Sequence, residues 1–413
     1  MTKPPFGFSG GSSGDEPPSG GEPSGVDPFG GATPDLGAML RQLGDLMAGE
    51  TGPVNWQLAR QGAMAVIGAD TGTTAADTAE VADAIRLADH WLDPATTLPS
   101  GVTSSEAWSR RRWLEATRPA WAELVEPVAA RVSGAMAQAL PEEVRAMATP
   151  LMSVMGQVGG LVFGQQVGQA LGTLATEVLG STDVGLPLGP AGVAALLPES
   201  VRELATGLTL PLDEVRLFVA LREAAHHRLF GHVPWLRGHL VGAVQAYAEG
   251  ITIDISKFET LAAGIDPSDP EAIQRAVGEG LFTPSTTLEQ QAALGRLETA
   301  LALVEGWVDT LAASAATGQL PHLDALQETM RRRRASGGPA ERTFASLVGL
   351  ELRPRRLREA AQLWQALGDR RGSEGRDEIW RHPDLLPNAA DLDDPLGWAE
   401  HGPDDGLDLS ALE

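Results

Sequence analysis

Between Asp213 and Phe230 the chain offers no broad wet face. On a helix, Leu217, Phe218, Val219, Leu221, Ala224, Ala225, Leu229 and Phe230 cover nearly the whole circumference. A helix of that kind belongs inside a larger core. Yet the same stretch carries Arg222, Glu223, His226 and His227, with His232 and His239 just beyond it. At 100° per residue, Arg222, Glu223 and His226 fall in one sector with Val219 and Phe230. Charges buried together must be paired, hydrogen-bonded or bound to a metal, because desolvating them alone is costly. The rest of the chain therefore has to supply a core around this helix and partners for its polar groups.

The 413 residues are enough for such a core. A formal charge of −24 repels polyanions, so no nucleic-acid partner is expected. The absence of cysteine excludes disulfides, thiolate zinc sites and a cysteine nucleophile. It suits a reducing compartment. The opening MTKPPFGFSGG lacks a charged-then-apolar signal pattern, so the expected location is cytoplasmic. About half of residues 1–34 are Gly or Pro, which predicts a disordered tail. A single mainly α-helical domain is expected over 35–398, followed by an acidic tail over 399–413.

Apolar periodicity and capping residues predict helices over about Asp35–Met47, Asn55–Ile67, Thr74–Leu92, Pro198–Thr206, Pro270–Glu279, Thr287–Ala313 and Ala340–Leu367. Trp108, Trp113, Trp121, Val125 and Val128 read as buried anchors, and Pro119 as the first turn of a new helix. Residues 183–190 read as a turn-rich linker. Little reads as sheet beyond Ile251–Ile255, a short strand or extended turn. Residues 331–381 hold thirteen arginines against seven acids, including Arg331–Arg334. In an acidic chain with few interleaved aromatics, that run reads as a solvated or internally paired face.

No charge occurs between Arg145 and Glu177, where Gly156, Gly160, Gly164, Gly168 and Gly172 recur every four residues. The run is long enough to span a bilayer, and the stripe would suit a membrane helix pair. Gln157, Gln165, Gln166 and Gln169 are costly in hydrocarbon, and no basic flank is evident. The expectation is a buried central helix allowing close approach by a neighbour, with no membrane partner.

A zinc peptidase helix places two imidazoles four residues apart, with a glutamate directly after the first. Here the five residues are Arg222-Glu223-Ala224-Ala225-His226. The glutamate and second histidine are in place; an arginine stands at the first position. The surrounding LREAAHHRLFGHVPWLRGHL, the block TSSEAWSRRRWLEAT, the helix GQQVGQALGTLA, the turn DVGLPL, the segment LVEGWVD and the C-terminal PLGW together resemble a zincin-like hydrolase family. That family is found chiefly in actinobacteria, and its members are commonly called zinc-dependent metalloproteases. The chain resembles the branch with Arg-Glu-x-x-His in place of His-Glu-x-x-His.

The resemblance implies a zinc-dependent metallohydrolase, a peptidase acting on a peptide or protein substrate. Glu223 would be the general base, His226 the second metal ligand and Glu305 the third. Arginine cannot ligate a cation, which leaves three readings open. Zinc binds through His226 and Glu305 with a substitute ligand, for which Asp309, one turn beyond Glu305, is better placed than His227 or His232. Arg222 would then act as an electrophile beside the substrate. Alternatively, the Arg222 guanidinium fills the space of the cation and pairs with Glu305 or Glu223, leaving an inactive scaffold that binds a partner. A di-metal site would need a second Glu-x-x-His, and the chain has none.

Overall fold

The computed structural model describes residues 52–138, 149–250, 287–335 and 356–402, all within one compact unit. The expected tail over 1–34, the helices at Asp35–Met47 and Pro270–Glu279, the Ile251–Ile255 segment and the chain beyond 402 lie outside them. The described architecture is mainly α-helical, with one two-stranded sheet.

The N-terminal helices start where their caps place them. α1 (Trp56–Ile67) begins at Asn55, whose side chain accepts from Leu58 N at 2.8 Å. α2 (Ala75–Leu92) begins with a capping box between Thr74 and Asp77. Strand β1 (Ser104–Ala107) then pairs in parallel with β2 (Val193–Leu196), Ser104 opposite Val193. Parallel strands require a long crossover. It contains α3 (Arg110–Gln138) and α4 (Thr149–Glu177).

Two expectations need correction here. α3 runs through Pro119 and Pro127 instead of restarting at Pro119. A proline removes one backbone donor and crowds the carbonyl four residues earlier. Pro119 lies on the exposed side of the helix. Trp113, Trp121, Leu124, Val125 and Val128, buried before and after it, keep the helix in register on the core. α4 is not buried all round either. Gln165, Gln166 and Gln169 are exposed, while the glycine stripe faces α1. A Cβ at Gly164 would sit 2.5 Å from Asn55 O, and one at Gly172 would sit 2.9 Å from Ala63 O. Among the described residues no helix is long and apolar enough to cross a membrane.

β2 leads into α5 (Pro198–Leu208) and then α6 (Leu212–His232). From Phe218 to Leu229 every residue of α6 is buried. α2, β2 and α8 (Leu288–Ala316) pack around it. α8 opens with a capping box between Thr287 and Gln290. Three helices went unread in the sequence. α7 (Pro234–Glu249) takes Pro234 in its first turn, and α9 (Leu323–Ala335) carries the four arginines. α10 (Leu357–Asp377) is interrupted at Gly372, whose φ of 71° only glycine adopts readily. α11 (Pro395–His401), the third unread helix, packs on α10.

The α1–α4 contact yields a paired test. Gly168→Leu should lower stability by about 1–3 kcal/mol through overpacking against Ala59. Gly134→Ala, with open space around it on α3, should be neutral or stabilising by up to about 1 kcal/mol. Urea denaturation of both variants reads the difference; equal effects would contradict this packing.

Candidate functional site

Because every face of α6 is buried, each of its polar groups must find a partner inside the protein. Four of them form two i, i+4 pairs. Arg222 and His226 face α8, while Glu223 and His227 face the turn after α4. The single sector expected for Arg222, Glu223 and His226 is therefore split.

On the α8 side, Arg222 Nη2 donates to Glu305 Oε2 at 2.7 Å, and Nη1 is bonded to Asp309 Oδ1. Glu305 and Asp309 lie one turn apart, so one guanidinium fork spans both. His226 Nε2 lies 3.1 Å from Glu305 Oε1. Its Nδ1 donates to Arg222 O at 2.9 Å, because a carbonyl only accepts. The sequence reading missed Arg334, whose Nη1 reaches Glu305 Oε2 at 2.5 Å. The only signal for it was the arginine run. That run divides: Arg331 and Arg332 stay exposed beside Glu328, Arg333 binds Asp183, and Arg334 turns inward. Burial alone would raise the Glu305 pKa, but Arg334, His226 and Arg222 hold it far below the usual carboxylate range.

On the other side, Glu223 accepts from Ser181 N at 3.2 Å and from Thr182 N at 3.2 Å. It also accepts from Thr182 Oγ1 at 2.6 Å, Ala195 N at 3.2 Å and Ser181 Oγ. His227 Nε2 stands 3.4 Å from Glu223 Oε1. Burial raises the Glu223 pKa, but His227, Ser181 and Thr182 lower it by more, to about 2. This carboxylate fastens β2 and the 181–182 turn to α6. The turn read as a linker is thus a wall of the site. A Cβ at Gly180 would lie 2.5 Å from Glu223 Oε2, and one at Gly185 would lie 2.7 Å from Glu305 Oε1.

His232 and His239 stand apart from both clusters. His232 Nδ1 donates to Arg228 O at 3.0 Å, and His239 packs edge-on against Trp235.

The donor set does not suit a divalent cation as it stands. Among the described residues no three His, Asp or Glu side chains group closely enough to hold a metal ion: His226 reaches Glu305, and the guanidinium of Arg222 stands between Glu305 and Asp309. Two negative charges are already matched by Arg222 and Arg334. Glu305 Oε2 receives both guanidinium groups, and a zinc ion would have to displace them. Glu223, saturated with donors, faces away from this cluster.

The mainly helical domain sets a helix bearing Arg222, Glu223 and His226 against Glu305 from a later helix. The chain belongs to the zincin-like metallopeptidase family, whose profile matches residues 54–399. Among solved structures it is similar to a proposed hydrolase with a novel fold from Chloroflexus aurantiacus. The TM-score is 0.60 at 20% identity, over 86% of this chain and 99% of that one. At that identity the likeness is one of fold. A search of the curated proteins found no match.

The Glu223 cage gives a signed pH prediction. With its pKa lowered from 4.5 to about 2, the stabilisation it supplies is complete above pH 4.5 and is lost as pH falls towards 2. Glu223→Gln should cost about 1–3 kcal/mol at neutral pH, because donors lose their acceptor. It should also lose less stability than the parent between about pH 5 and pH 3. Parallel acid-unfolding curves would contradict the cage.

Proposed function

We propose that this chain is a zincin-like scaffold in which the Arg222 guanidinium stands where other family members hold a metal, and that it acts by binding a partner. The observation that carries this reading is the Arg222 fork across Glu305 and Asp309. A cation that cannot dissociate or exchange neutralises the acidic residues that would otherwise attract zinc. Arg334 completes the charge balance. Glu223, caged and turned to another wall, is poorly placed to take a proton from a water at His226 and Glu305. In this reading Glu223 is a structural residue joining α6 to β2.

The neighbouring cleft, about 650 Å³, is lined by Arg222, Asp309, Arg331, Arg334 and Arg358 among others. It would receive the partner.

A second reading, zinc-dependent hydrolysis of a peptide, has one observation and the family in its favour. The Nδ1–H of His226 is committed to a carbonyl, which leaves Nε2 as the ligating nitrogen, the orientation that metal-binding histidines take. With Arg222 swung away, His226, Glu305 and Asp309 would offer three ligands.

Metal content separates the two. Protein purified without chelator should contain far less than one zinc per chain, and EDTA should leave its melting temperature unchanged. About one bound zinc per chain, with a fall in melting temperature on chelation, would overturn the scaffold reading.

A further inference from the structure

The Glu223 cluster has a second face. Glu223 is buried, and its partners are hydroxyls, backbone amides and His227, with no Arg or Lys among them. A carboxylate only accepts, so it draws the hydroxyl protons of Ser181 and Thr182 and the Nε2 proton of His227. The Ser181 and Thr182 oxygens then turn lone pairs the other way, and so does Nδ1 of His227 in its neutral Nε2–H tautomer. His227 Nδ1 differs from the corresponding nitrogens of His226 and His232, which bond to carbonyls one turn back. Among the described residues it has no hydrogen-bond partner.

Ser181, Thr182 and His227 line a cavity of about 500 Å³. Its walls include Ala116, Ala120, Leu188 and Phe230. The charged residues lining it, Glu123 and Arg237, are paired with each other. The volume is that of a small-molecule site, and apolar walls around a few convergent polar groups are its usual form. With His227 in that neutral tautomer the floor presents acceptors, with the buried Glu223 carboxylate directly behind them. Such a floor selects a hydrogen-bond donor, and a cationic one above a neutral one.

We propose that this cavity binds a small organic amine. Its ammonium group would donate to Ser181, Thr182 and His227, and an aromatic or branched apolar body would rest against Phe230, Leu188 and Ala120. None of the Arg222–Glu305–Asp309 cluster lines this cavity, so the proposal stands or falls separately from metal content.

Calorimetric titration of the full chain with 2-phenylethylamine, 2-phenylethanol and phenylacetate tests it. The amine should bind saturably, the alcohol at least about tenfold more weakly, and the carboxylate not at all. Ala120→Phe fills the cavity from α3 without touching Glu223 and should weaken amine binding by at least about tenfold. Leu188→Trp fills it from the loop and serves if the first variant misfolds. No binding of the amine, equal binding of all three probes, or undiminished amine binding in the filled variants would overturn the proposal.

Discussion

Glu305 is a carboxylate in the middle of a helical core, and a carboxylate there must be met by positive charge. Two helices deliver it, Arg222 from α6 and Arg334 from α9, with His226 of α6 beside them. Arg222 also reaches Asp309, so the ion pair crosslinks α6 to one full turn of α8. The contact is more than decoration on a finished fold. Removing one partner of a buried pair leaves an uncompensated charge, which is far more damaging than losing a surface bridge. A metal and a guanidinium solve the same electrostatic problem here. They differ in consequence, because the guanidinium offers no open coordination position and no water to activate.

The same rule governs the rest of α6. Glu223 is met by five donors from the 181–182 turn and β2. Arg228, almost fully buried, is met by Asp89 at 2.8 Å, Asp93 at 2.7 Å and the carbonyls of Leu98 and Asp89. These charges on the helix thus recruit different neighbours: α8 through Arg222, the small sheet through Glu223, and the end of α2 through Arg228. That is how a helix with no wet face can carry so many ionisable groups. It also explains glycine at positions 180 and 185, where a side chain would strike the carboxylates of Glu223 and Glu305.

Much of this was legible in the sequence. Asn55, Thr74 and Thr287 announced helix starts because capping is a local interaction, and the buried tryptophans declared the α3 core. The resemblance drew attention to Glu305, and Glu305 was one of two carboxylates expected to pair with Arg222; the other, Glu223, faces a different wall, and Asp309, expected only as a substitute metal ligand, takes its place in the pair. What escaped depends on contacts between distant segments. The 100° step between Arg222 and Glu223 is small enough to share a face on paper, yet their partners lie on different walls. Arg334 is indistinguishable from its three neighbours until the helix phase relative to α8 is known. Ser181 and Thr182, directly before the DVGLPL turn, read as linker because nothing local reveals that their amides and hydroxyls point at the distant Glu223 carboxylate. Pro119 misled because the rule for prolines in helices weighs local hydrogen bonds, whereas tertiary packing on either side kept α3 continuous.

The claim that Arg222 takes the place of a cation for Glu305 is tested most directly by a double-mutant cycle. Arg222→Met, Glu305→Gln and the double variant would be compared by urea denaturation with and without EDTA. The account predicts a favourable coupling of about 2 kcal/mol or more, the same under both conditions. Additive single effects, or a coupling present only without chelator, would contradict it.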